Sequence, residues 1–190
     1  HLSSVILQML ALGLGEVSQF PFIQPPDSKN INDGMKLLEE LQAIERKNNG
    51  YVLTPLGRKI ARLPVDPRYA KMVVEAGERD CAKEIMIITA GLSIQDPRER
   101  PQDKKQIADE KHSEFADTDS DFMSLLNLWN AFSSNQKTLT NSQLRKWCKQ
   151  YFVHYLRMRE WQDIVSQMKK SIVEIGYRLN SEEPSYETIH

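Results

Sequence analysis

Residues 43–67 read AIERKNNGYVLTPLGRKIARLPVDP, and this stretch decides the fold. Ala43 to Glu45 and Tyr51 to Leu53 flank Asn49-Gly50, a dipeptide that tolerates positive φ at both central turn positions, so a short β-hairpin is predicted here. Thr54-Pro55 then supplies a capping hydroxyl and a proline whose fixed φ suits a first helical turn, and Leu56, Ile60 and Leu63 recur on one face of the helix that follows. Asp66-Pro67 repeats the same cap-plus-proline signal at the head of another helix.

Upstream of the hairpin, Ser3 and Ser4 are predicted to cap a helix carrying Val5, Met9 and Leu12, ended by Gly13 and Gly15. Beyond Pro25-Pro26, Asn30 is predicted to cap a second helix with Ile31, Met35, Leu38 and Leu41 on one side. Two helices, a two-stranded wing and a third helix make a winged-helix-like module, with its boundary near Leu63-Pro64.

Downstream the pattern is all helical, and residues 66–190 are expected to form a helical bundle. Tyr69, Met72, Val73 and Ala76 form a stripe closed by Gly77, and Asp80 is expected to start a helix that is apolar nearly all round from Ile85 to Leu92. Gln95 to Pro101, with Pro97 and Pro101 bracketing Arg98-Glu99-Arg100, is predicted to be a solvent-facing loop, followed by a polar helix to about Lys111. Asp119 or Ser120 starts a helix with Phe122, Leu125, Leu126, Trp129 and Phe132 in register, and Thr140 with Gln143 fits the reciprocal capping box. From Leu144 to Ile175 one apolar stripe runs on for longer than a usual globular helix, which predicts a break near Phe152 to His154. The acidic tail after Ser181 is expected to be loose.

With 40% hydrophobic and 27% charged residues the chain has the composition of an ordinary globular protein. Its longest mostly apolar stretch at the start, Val5 to Leu14, is too short to span a bilayer and lacks a basic flank, which points to no membrane and a cytoplasmic location. Cys81 and Cys148 are too few for a disulfide scaffold and read as reduced core thiols. The net charge of −1 argues against nucleic-acid binding by bulk electrostatics. That average hides an asymmetry: nine acidic and five basic residues lie between Asp96 and Asp121, but three acidic and nine basic between Lys137 and Asn180.

No catalytic or cofactor-binding constellation stands out. Gly57-Arg58-Lys59-Ile60 lacks the earlier glycine and the hydroxyl of a phosphate-binding loop. His1, His112, His154 and His190 have no metal-ligand spacing. His112-Ser113-Glu114 are neighbours on a helix and point in different directions, and His154 reads as a hydrogen-bonded packing residue. The helix before the wing carries Asp33, Glu39 and Glu40 against Lys36, which disfavours a DNA-reading role, and Arg58, Lys59 and Arg62 read as a solvated face. The better candidates for backbone contacts are Arg98, Arg100, Lys104 and Lys105 in the loop region and Arg145, Lys146, Lys149, Arg157 and Arg159 on the later helices. Trp147, Tyr151 and Tyr155 keep helical register and read as packing aromatics rather than stacking platforms for bases.

Five stretches together resemble the helicase-associated region of DEAH-box RNA helicases, especially the bacterial HrpA-like group: VILQMLALGLG (5–15), LTPLGRKIARLPVDP (53–67), LSIQDPRERP (92–101), DSDFMSLLNLW (119–129) and WCKQYFVHYLRMREWQDIVSQM (147–168). The resemblance implies a mainly α fold, a degenerate winged-helix domain over residues 1–65 and a ratchet-like bundle over 66–190. It implies a piece of a longer polypeptide that starts just after a second RecA-like domain. The chain itself would be non-catalytic and hold no cofactor, while ATP and magnesium would sit in the RecA-like motor domains of an NTP-hydrolysing parent. Its role would be to form one wall of a channel for single-stranded RNA and to couple motor motion to translocation or unwinding. The loop at Gln95 and Arg100-Pro101 and the turn at Asp119-Ser120-Asp121 carry over as channel-side positions, and from the charge distribution Arg98, Arg100, Lys104, Lys105, Arg145, Lys149 and Arg157 are the expected RNA contacts. Two other classes remain open on the sequence: a free-standing winged-helix DNA-binding regulator and a helical protein-interaction adaptor.

Overall fold

A computed structural model describes residues 2–179; the acidic tail after Ser181 lies outside them. Within that span the elements run α1 (Leu2–Leu12), a short 3-10 turn (Val17–Gln19), α2 (Ser28–Glu40), β1 (Ile44–Lys47), β2 (Gly50–Leu53), α3 (Pro55–Ile60), α4 (Pro67–Glu78), α5 (Ala82–Leu92), α6 (Lys105–His112), α7 (Asp121–Thr138), α8 (Asn141–Gln150) and α9 (Tyr155–Ile175). The fold is mainly α with one antiparallel hairpin, as the sequence predicts.

The chain divides into two compact units, one of His1–Ala82 with Gln167–His190 and one of Lys83–Ser166, so that α9 supplies residues to both. In the first unit Ile6, Leu7 and Met9 of α1, Leu38 of α2, Ile44 of β1, Ile60 of α3 and Val73 and Val74 of α4 are buried, as are Met168 and Ile172 of α9. Each such aliphatic side chain contributes about 1.5–3 kcal/mol by leaving water. One close side-chain approach and one close backbone approach involve glycine. A Cβ on Gly34 of α2 would lie 2.8 Å from Ile6 Cδ1, and one on Gly57 of α3 would lie far inside contact distance of the Ala43 carbonyl oxygen.

The hairpin differs from its prediction in register. Lys47 pairs with Gly50, so the two-residue turn is Asn48-Asn49, with φ of 51° and 63°. Asparagine is the side chain that best tolerates this left-handed region, so Gly50 is freed to begin β2. Across the strands the paired Arg46 and Tyr51 are also hydrogen-bonded, from Arg46 Nη2 to the Tyr51 hydroxyl at 3.0 Å.

The expected caps hold where cap and proline come together. Thr54 Oγ1 accepts from Gly57 N at 3.0 Å, and Asp66 Oδ1 accepts from Arg68 N at 2.9 Å. Three other expectations shift. Ser3 is buried within α1 rather than capping it, α2 is capped by Asp27, whose Oδ1 accepts from Asn30 N at 2.8 Å, and Asp80 takes a left-handed φ of 58° two residues before α5 begins at Ala82. On α4 Val73, Ala76 and Gly77 are buried as predicted, Ala70 and Val74 are buried beside them, and Met72 is 41% exposed. The buried face therefore overlaps the predicted one at Val73 and Ala76 and is centred towards Ala70 and Val74 rather than Met72.

In the second unit the buried layer comprises Met86, Ile87, Ala90, Leu125, Leu128, Phe132, Leu144, Met158, Trp161 and Val165. Ser120 caps α7, with Oγ accepting from Met123 N at 3.2 Å. Phe122, expected in the core register, is 52% exposed because the first turn of α7 stands outside the packed layer, where Asp121 is exposed too. The Thr140–Gln143 capping box forms with both of its bonds, at 3.2 and 2.9 Å. Among the described residues no helix is long and apolar enough to cross a membrane. Nor can any group of three or more His, Cys, Asp or Glu side chains among them hold a metal ion.

Candidate nucleic-acid interface

The predicted stripe breaks where the sequence suggests, and the break builds a site. Phe152 takes a left-handed φ of 53°. Val153 N then donates to Cys148 O at 2.8 Å to close α8, and α9 restarts at Tyr155. His154 caps the new helix with its ring: Nδ1 accepts from Arg157 N at 3.2 Å. With Nδ1 as the acceptor, the ring N–H of this tautomer is on Nε2.

The turn at 151–154 is held by the loop that the sequence places facing solvent. Arg98 forms an antiparallel bridge with Val153, Glu99 N donates to Phe152 O at 2.7 Å, and His154 N donates to Pro97 O at 2.7 Å. Phe152 O also accepts from His112 Nε2 at 3.0 Å, which ties the end of α6 to the same point. Pro97 is buried, so this loop is docked rather than free in solvent. His112, Ser113 and Glu114 do not converge: the first bonds Phe152 O, the second its own helix at Glu110 O, and the third the Tyr151 hydroxyl, whose pKa that bond raises.

Arg98 is the most heavily engaged of the candidate cations. Nε and Nη2 grip the two carboxylate oxygens of Asp96, each at 3.0 Å, and Nη1 donates to Asp121 Oδ1 at 2.9 Å. Burial alone would lower the Arg98 pKa, but the bonds to Asp96 and Asp121 outweigh it and raise the value. Burial likewise works to raise Asp96, and the side-chain and backbone donors of Arg98 overcome it to hold that carboxyl below the usual carboxylate range. Arg157 Nη1 donates to Asp96 O at 3.1 Å, and Arg100 forks onto Asp109 at 2.7 and 3.0 Å. Lys104 and Lys105 lie exposed at the start of α6.

Beside this junction is an open groove of about 290 Å³, lined by Glu99, Arg145, Lys149, His154, Tyr155 and Leu156, with buried Cys148 and Val153 beneath. Burial pushes the Cys148 thiol up to about 12, so it stays protonated and unreactive at neutral pH. The Arg145 guanidinium lies 4.6 Å from the Tyr155 ring centroid, an arrangement that fixes the cation at the rim without cancelling its charge. Tyr155, Tyr151 and Trp147 are half-buried and lean on buried Phe132 and Phe115, with centroids 5.6–6.4 Å apart.

Of the seven cations expected to contact RNA, the structure thus brings Arg145 and Lys149 together at one groove and ties Arg98, Arg100 and Arg157 to acidic residues or backbone. Reasoning from the sequence missed Glu99, His154, Tyr155 and Leu156 as groove residues. For His154, Tyr155 and Leu156 the available signal was their position at or just after the predicted helix break; Glu99 comes from the 95–101 loop and carries no such signal.

Two adjoining domain models match residues 34–125 of the chain: the winged-helix domain of the helicase-associated HA2 region over residues 34–65 and its ratchet-like domain over 66–125. Residues 34–125 thus carry the helicase-associated HA2 domains. The chain is 53% identical to the ATP-dependent RNA helicase HrpA of Escherichia coli and 50% identical to the HrpA homologue of Haemophilus influenzae, over the whole of this chain and 15% of each relative. Against the human probable ATP-dependent RNA helicase DHX35 it is 32% identical over 96% of this chain and 25% of that protein. This HA2 chain thus spans about 15% of the length of its HrpA relatives. Of its groove residues Glu99 lies inside the ratchet-like match, and those of the α8–α9 junction lie beyond it but inside the HrpA alignment.

The relatives' names specify ATP, and the nearest glycine-lysine segment of the HA2 chain does not fit a triphosphate. Gly57 sits inside α3, donates its N–H to Thr54 Oγ1 and packs on the Ala43 carbonyl, so its backbone has no amide left to offer a phosphate.

Proposed function

We propose that this HA2 chain serves as the accessory region of an ATP-dependent DEAH-box RNA helicase. In this reading residues 1–65 form the winged-helix domain and 66–190 the ratchet-like bundle. The bundle lines the path of single-stranded RNA and transmits the motion of RecA-like motor domains of the same polypeptide to the strand. ATP and magnesium are held by those motor domains, and the protein works in the cytoplasm. The HA2 chain supplies grip: Arg145 and Lys149 contact phosphates at the groove, and Lys104 and Lys105 extend the basic surface along α6.

The observation that carries this reading is the convergence of Arg145, Lys149 and Tyr155 on one open groove. Two cations at one rim suit a polyanionic strand, and the half-exposed ring adds a surface compatible with a base. The basic helices compensate for a chain whose net charge is −1.

The test replaces Arg145 and Lys149 with alanine in the helicase and measures binding of a labelled single-stranded oligoribonucleotide across a salt series. Loss of two phosphate contacts flattens the slope of log affinity against log salt by roughly 1.4, at about 0.7 per contact for single strands. An unchanged slope counts against the groove as the RNA site. Tighter, sequence-selective binding of duplex DNA would favour a regulator instead.

A further inference from the structure

The cation nearest the centre of the junction is the one least able to receive a phosphate. Arg98 donates from Nε, Nη1 and Nη2 to two carboxylates, its side chain is only 21% exposed, and Asp96, Arg98 and Asp121 together carry a net charge of −1. A phosphate arriving there would meet two carboxylates already holding the guanidinium, and would have to displace one.

We propose that Arg98 is a positioning residue rather than an RNA ligand: it pins the 96–99 loop to the first turn of α7 and against the α8–α9 turn, and so sets the spacing of Arg145, Lys149 and Tyr155 across the groove. The inference rests on the RNA-binding reading above. Its geometry is specific. The planar fork of Arg98 closes on Asp96 while its backbone bridges Val153, one residue before the His154 cap of α9. Asp121 anchors the third donor from an element 23 residues away. Arg157 reaches back from α9 to the Asp96 carbonyl, so loop and helix hold each other. The charged groups facing the groove itself are then Glu99, Arg145, Lys149 and the titratable His154, with none of the three pinned residues among them. Lysine cannot replace this arginine, because an ammonium offers no planar fork to two partners at once.

The two roles predict opposite signs for one variant. In Asp121→Asn the acid competing for Arg98 is gone. If Arg98 were an RNA ligand, binding of a labelled single-stranded oligoribonucleotide to the helicase would tighten. If Arg98 positions the groove, binding weakens, by about tenfold for the loss of one charge-assisted bond, and Arg98→Lys weakens it similarly although the charge is kept. The salt slope separates them again. It stays at the wild-type value in Arg98→Ala if Arg98 only positions, and falls by roughly 0.7 if a phosphate contact has been lost. Hydrogen exchange adds a readout free of RNA: Arg98→Ala is expected to speed exchange at the amides of Glu99, Val153 and His154. Tighter binding in Asp121→Asn, wild-type behaviour of Arg98→Lys, or unaltered exchange overturns the proposal. If the wild-type helicase shows no RNA dependence on Arg145 and Lys149, the RNA reading on which it rests is what fails.

Discussion

Trp161 lies flat against Gly91, so that a Cβ at residue 91 would come within 2.7 Å of the indole ring. The indole Nε1 donates to Ile87 O, one turn back on the same helix, at 2.7 Å, and the ring itself is fully buried beside Trp129. The missing side chain on α5 is thus the space that the largest side chain of α9 fills.

Gly91→Ala is therefore expected to destabilise the chain by about 1–3 kcal/mol through overpacking, even though alanine is the better helix former. Trp161→Phe alone opens space and removes the bond to Ile87. Combined with Gly91→Ala it should cost less than the sum of the two, since the smaller ring makes room for the methyl. A double-mutant cycle from urea unfolding followed by circular dichroism measures that coupling, and strict additivity would show the contact is not what limits residue 91.

Gly57→Ala is expected to be worse. The new Cβ would overlap the Ala43 carbonyl, which is backbone and also accepts from Thr54 N at 3.1 Å. The packing of α3 on the wing must yield, at a cost of about 3 kcal/mol or more. A thermal midpoint within experimental error of wild type would contradict it.

Tyr177 joins the C-terminal end of the chain to α3 and α4. Its hydroxyl accepts from Lys59 Nζ at 2.9 Å and donates to Glu78 at 3.2 Å, and its ring rests on Gly77. Tyr177→Phe removes exposed polar contacts and should cost under about 1 kcal/mol. Tyr177→Ala also removes the ring packing and should cost visibly more. Equal midpoints for the two variants would mean the ring contributes nothing.

The Asp96–Arg98 pair gives a pH signature. The Asp96 pKa is lowered in the folded chain, so its contribution is fully present above the unfolded aspartate value of about 3.9 and is lost as pH falls through the lowered native value. Asp96 is 54% exposed, and solvent screening limits the effect to about 1 kcal/mol. Asp96→Asn should therefore be less stable than wild type at pH 7, with the gap closing towards pH 2. A gap that persists in acid would assign it to packing instead.

These residues also mark what could be read from the chain before its structure. Thr54-Pro55, Asp66-Pro67 and Thr140–Gln143 were legible because a cap and its donor lie within three residues, so a local pattern contains the whole interaction. The break at Phe152 was legible because no single helix accommodates so long a stripe. The turn at Asn48-Asn49 differs by one residue from its reading, since asparagine competes with glycine for positive φ, and on α4 Val73 and Ala76 were legible while Met72 was not, since an amphipathic stripe with flanking apolar residues fits two adjacent rotations. The charge of Arg98 is visible in the sequence, whereas Asp121, 23 residues on, becomes its partner only through the fold.

The division of α9 between the two units has a consequence for synthesis. Residues 83–166 are contiguous, and that unit is complete as soon as they have left the ribosome. The other unit must wait: its first 82 residues emerge early, yet Met168 and Ile172 of its core are made last. Until then the nascent winged-helix portion keeps apolar surface uncovered, and the order of emergence makes the inner segment mature before the segment that brackets it.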